Sequence, residues 1–79
     1  MSWVINIIGT AEEVVAALDK HSLNISGQSK IEYDDALPSL KALVLQNFGF
    51  NRIIEISAGG SGYAENGEQK NRRLYCTIR

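Results

Sequence analysis

The segment IEISAGGSGYAENGEQKNRRLYCTI, residues 54–78, decides how this chain folds. Two runs within it alternate in polarity. Ile54, Ile56 and Ala58 share one side, with Ile53, Glu55 and Ser57 on the other; Leu74, Cys76 and Ile78 share one side, with Arg73, Tyr75, Thr77 and Arg79 on the other. A period of two marks a half-buried strand. Between the runs, Asn66-Gly67 supplies the residue types of a tight hairpin turn, because both central positions of such a turn take positive φ. A two-residue turn there pairs positions that sum to 133, setting Ile56 against Thr77 and Ala58 against Tyr75, so the two apolar faces point in opposite directions. A sum of 132 instead matches Ile54 with Ile78, Ile56 with Cys76 and Ala58 with Leu74. That register gives one apolar face and leaves one extra residue, expected as a bulge at Gly59, Gly60 or Gly62, where no Cβ resists it.

Upstream, WVINII (residues 3–8) is β-branched and aromatic, with Trp3, Ile5 and Ile7 on one face, and predicts a first strand. In TAEEVVAALDKH, Thr10 and Glu13 have capping-box spacing, and Ala11, Val14, Val15 and Leu18 follow at helical spacing. This helix is expected to end near Lys20 or His21, and SLNISGQSK (residues 22–30) to be a polar connection. A second helix is expected over residues 35–48, capped by Asp34 or Asp35, with Pro38 in its first turn. Leu37, Leu40, Leu43, Val44 and Phe48 form its expected buried stripe, Leu45 lies off it, and Gly49 suits a left-handed C-cap. The expectation is a single α+β domain: a two-layer β-α-α-β-β fold with a three-stranded, mainly antiparallel sheet and two helices on one face, strand order open.

At 79 residues, with 44% hydrophobic and 22% charged residues, the chain has the composition of a small folded soluble domain. Its formal charge of −1 argues against general nucleic-acid binding, which draws on a strong positive field. The single Cys76 leaves no internal disulfide, and with the single His21 there is no zinc set, so neither metal nor other cofactor is expected. The opening MSWVINIIG has no basic leader, and its apolar run is too short for a span, so a cytoplasmic protein without a membrane anchor is expected.

The carboxylate pairs Glu12-Glu13 and Asp34-Asp35 fall at expected helix starts, where acids favour the dipole, and capping explains them. His21 is read as a surface residue and Cys76 as a buried, inert thiol. With no acid, base or nucleophile placed for a reaction, no catalytic residue is expected and the chain is read as a non-enzyme. The glycines of GGSG are explained by the bulge. A phosphate-holding nest is the alternative use, although a Walker loop or dinucleotide fingerprint would open a helix, and here a strand follows.

Two helices can cover only one side of the sheet. Val4, Ile8, Ile53 and Tyr75 are therefore expected on an open outer face bordered by Arg52, Arg73 and Arg79, and contiguous apolar surface marks an interaction site. The expected partner-binding set is Arg52, Ile53, Gly60, Ser61, Tyr63, Arg72, Arg73, Tyr75 and Arg79, with Arg73 and Tyr75 as anchors. A protein partner is expected: a second copy in a homo-oligomer, a virion protein or a host protein. Single-stranded nucleic acid or a nucleotide stacked on the same face and loop is the alternative.

The order of a strand, the TAEEV helix, the YDD segment, the ISAGG strand, the NG loop and a final alternating strand resembles short, mostly uncharacterised proteins encoded by tailed phages and prophages. TAEEV (residues 10–14) and ISAGGSGYAENG (residues 56–67) carry the resemblance, and Tyr63 stands where related loops often have a histidine. The resemblance implies a viral origin and a non-enzymatic accessory role, virion-associated or host-directed.

Overall fold

Alternation and helical spacing together yield β1 (Ser2–Gly9), α1 (Ala11–Asn24), α2 (Gly27–Leu45), β2 (Ile54–Tyr63) and β3 (Lys70–Ile78). The structure is a computed structural model that describes residues 2–63 and 70–79; the expected Asn66-Gly67 turn lies outside the described residues. The sheet runs β1-β2-β3, every pairing antiparallel, which settles the strand order that the sequence left open. β2 and β3 meet as Ile54↔Ile78, Ile56↔Cys76 and Ala58↔Leu74, the register that unites the apolar faces. It continues to Ser61↔Asn71 and then slips by one residue before Tyr63↔Lys70, so of the three candidate glycines Gly62 sits at the irregularity. Both strands consequently run further into the glycine-rich segment than expected, and only residues 64–69 connect them.

The capping box forms as the spacing implies: the Thr10 hydroxyl accepts from the Glu13 N–H at 3.2 Å, and the Glu13 carboxylate accepts from the Thr10 N–H at 2.8 Å. Those two bonds hold the Glu13 carboxyl below the usual carboxylate range. α1 then continues past His21 to Asn24, correcting the expected end. Lys30 explains the extension. Its ammonium donates to the Ser22 carbonyl at 2.8 Å, supplying a partner for the last turn of a helix whose final carbonyls have none of their own. The same ammonium pairs with Asp34 at 3.0 Å, while the Ser22 hydroxyl donates to Asp34 and draws its carboxyl below the usual range. The polar segment read as a connection is thus the joint between two helices, reduced to Ile25 and Ser26, with α2 opening at Gly27 in the left-handed region (φ +69°).

α2 therefore starts eight residues earlier than expected and ends at Leu45. Asp34 and Asp35 lie inside it and do not cap it, and Pro38 is in its interior, on the exposed side. The longer helix buries Glu32, Tyr33, Ala36, Leu40 and Val44, with Leu37 and Leu43 half-buried. Phe48 falls beyond its end and is 39% exposed, so it leaves the expected stripe, whereas Leu45 is exposed as expected. Gly49 is left-handed (φ +82°), but in the turn that follows the helix.

Trp3 and Ile5 from β1, Ile54, Ile56 and Ala58 from β2, Val14 and Leu18 from α1 and the α2 row form one buried cluster between sheet and helices. Tyr33 is its largest fully buried side chain. Its hydroxyl donates to the Leu18 carbonyl at 2.7 Å, and its ring meets Trp3 and His21 edge-on at centroid distances of 5.3 and 4.8 Å. His21 is accordingly packed against the core rather than free on the surface. At the β3 edge the cover thins: Leu74 and Cys76 are half-buried, and Ile78, expected inward, is 55% exposed. No helix among the described residues is long and apolar enough to cross a membrane.

Candidate functional site on the outer sheet face

The register assigns the outer face residue by residue. Across the three strands its rows read Val4, Gly59, Arg73; then Asn6, Ser57, Tyr75; then Ile8, Glu55, Thr77. The helices occupy the opposite side, and Val4 and Tyr75 remain 80% and 59% exposed. Ile8 is exposed too. Ile53 lies just before β2, partly exposed, and its carbonyl accepts from the Arg79 N–H at 2.9 Å.

The first two rows enclose a shallow hollow of about 210 Å³ lined by Val4, Ser57, Ala58, Gly59, Arg73 and Tyr75. Gly59 makes it. A Cβ built there would lie 3.1 Å from the Trp3 carbonyl oxygen and 3.6 Å from Val4 Cγ2, so the bare backbone leaves a floor between a valine on one strand and an arginine on the other. Sequence reasoning treated Gly59 as a bulge candidate and missed this role. Only the cross-strand register, which sets Gly59 between Val4 and Arg73, reveals it.

The other end of the face is polar and internally bonded. The Asn6 side-chain amide donates to Glu55 at 2.8 Å and to Ser57 at 3.2 Å, and the Arg79 guanidinium pairs with Glu55 at 2.7 Å. Asn6 first, and Arg79 second, hold the Glu55 carboxyl below its usual range. Arg79 is thus committed to Glu55. Arg52 stacks over Phe50, 4.5 Å from the ring centroid, in the segment between α2 and β2. Arg73 is exposed and forms no ion pair with a described residue.

Of the expected binding set, the structure brings Arg73 and Tyr75 together on the hollow and places Ile53 and Arg79 at the far end of the face. Ser61 belongs by register to the outer row beyond Val4. Gly60 and Arg72 are paired with each other and fall at register positions of the inner row that begins with Trp3. Tyr63 lies past the register slip at the end of β2. The side chains of Ser61, Tyr63 and Arg72 lie outside the described residues. A nest at Gly59 and Gly60 is ruled out by position: both belong to the central strand and are paired with β1 on one side and β3 on the other, so their amides serve the ladder.

Elsewhere, Cys76 is half-buried, the Asn47 amide approaches its sulfur at 3.8 Å, and burial pushes the thiol's pKa up, away from the reactive thiolate. Among the described residues no three His, Cys, Asp or Glu side chains gather as metal ligands would. No known protein family, curated protein or solved structure matches the chain.

Proposed function

We propose that this chain is a non-enzymatic binding protein that engages another protein through the outer face of its sheet, with the hollow between Val4 and Tyr75 as the centre of contact. The observation that carries this reading is the exposure of Val4 and Tyr75 on either side of a glycine-floored hollow that neither helix covers. Tyrosine and arginine are favoured interface anchors, since each offers a large rigid contact area together with a polar tip. In this reading Tyr75 and Val4 clasp an apolar side chain of the partner in the hollow, and Arg73 meets a carboxylate beside it. The glycine-rich hairpin extends the contact, and the role is a phage-type accessory one, on a virion or a host protein.

Single-stranded nucleic acid is the weaker reading for this face. A strand-binding sheet combines stacking rings with a basic track for phosphates. Here Glu55 occupies the same face, and Arg79 neutralises it and does not add to a positive track.

Tyr75→Ala and Arg73→Glu test the assignment, since both residues are exposed and neither is part of the core. Affinity capture on immobilised wild-type and variant chains, with folding verified by circular dichroism, should lose the wild type's bound proteins in both variants. Retention of the same proteins by folded variants defeats the proposal. Fluorescence anisotropy with labelled oligonucleotides at two salt concentrations separates the alternatives: binding that weakens with salt supports the nucleic-acid reading.

A further inference from the structure

β1 is a terminal strand of the sheet and pairs only with β2, so alternate backbone donors and acceptors along its other side are left without a ladder partner. Proteins blunt such edges with charges, prolines or bulges. β3, the opposite edge, carries Lys70, Arg72 and Arg73 and the register slip at Gly62. β1 has none of these devices: SWVINIIG contains no charged residue and no proline, and it pairs with β2 without a slip from Ser2 to Gly9.

Alongside this edge runs an open groove of about 340 Å³, lined by Val4, Ile5, Asn6 and Ile7 of β1 and by Ala17, Lys20, His21 and Asn24 of α1. Two contacts fix how the helix crosses it. Glu13, in the first turn, lies against Gly9, and Tyr33 touches both His21 and Trp3, so α1 returns along β1 with its later turns over the start of the strand. The helix wall of the groove is therefore graded: apolar at Ala17, towards Ile7, and cationic at Lys20 beside His21, towards Val4 and Ile5. Lys20 is exposed and forms no ion pair with a described residue. The nearby acids of α1 are engaged elsewhere, Glu13 with the Thr10 N–H and Asp19 with Lys41 at 2.6 Å, and no carboxylate of a described residue lines the groove.

We propose that the β1 edge docks an extended acidic segment of a partner protein, which adds as a further strand and sets a carboxylate beside Lys20 and His21. Main-chain bonds to β1 supply the attachment, and alternate side chains supply the selectivity. Only every second residue of an added strand points to the helix side. The one beside Ile7 meets Ala17 and is apolar; the one beside Ile5 reaches Lys20 and His21 and is an aspartate or glutamate. In antiparallel order the segment reads apolar, any residue, acid. Charge identifies this occupant against a second copy, because β1 of another chain brings no acid to the groove.

This site goes beyond the outer-face reading, since its side-chain contacts lie on the helix side of the sheet. Its test is a titration of the isotope-labelled full chain with a capped peptide, Thr-Val-Thr-Val-Thr-Asp-Thr, to millimolar concentration. Amide shifts should run along β1, with NOEs between the peptide backbone and that strand. Lysine in place of the peptide's aspartate should weaken binding about ten-fold, and Lys20→Glu should do the same for the acidic peptide while improving the lysine one. Two peptides N-methylated on alternate residues need no change in the protein: blocking the N–H groups that face β1 should abolish binding, and blocking the other set should spare it. Tyr75→Ala and Arg73→Glu should bind the peptide as the wild type does, which separates this site from the hollow. Absence of shifts in β1 at millimolar peptide overturns the proposal. So does equal binding of the acidic and lysine peptides, or of the two N-methylated ones. Self-association of the chain that excludes the peptide, seen by sedimentation equilibrium, gives the edge to a second copy and overturns it as well.

Discussion

Tyr33 ties the two helices to the sheet through a single side chain. Its ring lies against Trp3 and His21, its hydroxyl is bonded to Leu18, and burial, aided by the negative charges of Asp19 and Asp34, pushes its pKa up to about 12. Because the phenol is easier to ionise in the unfolded chain, near its ordinary value of about 10, folding favours the neutral form. The contribution is complete below pH 10 and is lost as pH rises from about 10 to about 12. Tyr33→Phe should lower stability at neutral pH by about 1 kcal/mol for the lost hydrogen bond and should remove this part of the alkaline decline in a denaturation series. The acid side runs the other way. Asp34, Glu55 and Glu13 have carboxyls drawn below their usual values, so their contribution is present above the ordinary carboxylate pKa and fades as pH falls through the lowered ones. Asp34→Asn should flatten the dependence of Tm on pH below about pH 5, because Ser22 and Lys30 no longer distinguish folded from unfolded carboxylate.

Among the elements, α2 holds the least expected feature, a proline well inside a 19-residue helix. Pro38 lacks the N–H that would reach the Asp34 carbonyl, and an interior proline costs about 3 kcal/mol in helix propensity. Its exposed position gives it no core contact to offset that, so Pro38→Ala should raise stability by about 1–3 kcal/mol and move Tm upward by at least about 5 °C in calorimetry. The same proline is why the sequence misplaces this helix. Proline in a first turn is the commoner arrangement, and the acids before it look like caps, so the sequence reading ends its polar connection at residue 30 and starts the helix only at 35, although Ile31 and Tyr33 stand just before the supposed cap. The signal that could have corrected it was the row Tyr33, Ala36, Leu40, Val44, which keeps helical spacing straight across the supposed cap. The strands were more legible. Period-two alternation with one apolar side fixes the parity of the register, the Asn66-Gly67 pair picks the nearest register of that parity, and Ile54↔Ile78 obeys both. The outer-face exposure of Tyr75 and Arg73 followed from the same parity. The hollow did not, because it depends on which residue of β1 stands across from Gly59, and pairing between strands separated by two helices leaves no local trace in the chain.

At the scale of the whole molecule, one buried cluster carries the fold, and both layers depend on it. A chain of 79 residues has a total stability of roughly 4–12 kcal/mol. Ile56 is fully buried on the central strand, and truncating such a side chain to alanine costs about 2–5 kcal/mol through lost burial and the cavity left behind. Ile56→Ala should therefore consume a large share of the margin, appearing in urea denaturation as a midpoint displaced strongly downward with helices and sheet still melting together. The wiring of the sheet has a further effect during synthesis. Contacts such as Asn6 to Ser57 span 51 positions, whereas α1 with α2 and β2 with β3 are sequence neighbours. At a translation rate of about 5–20 residues per second, the first strand leaves the ribosome roughly 3–10 s before its ladder partner exists. For that interval a chargeless, tryptophan-bearing ribbon is bare along both sides. Nascent chains of this protein are thus most exposed to mispairing on crowded polysomes, and the two helices that follow are the first shelter the strand receives.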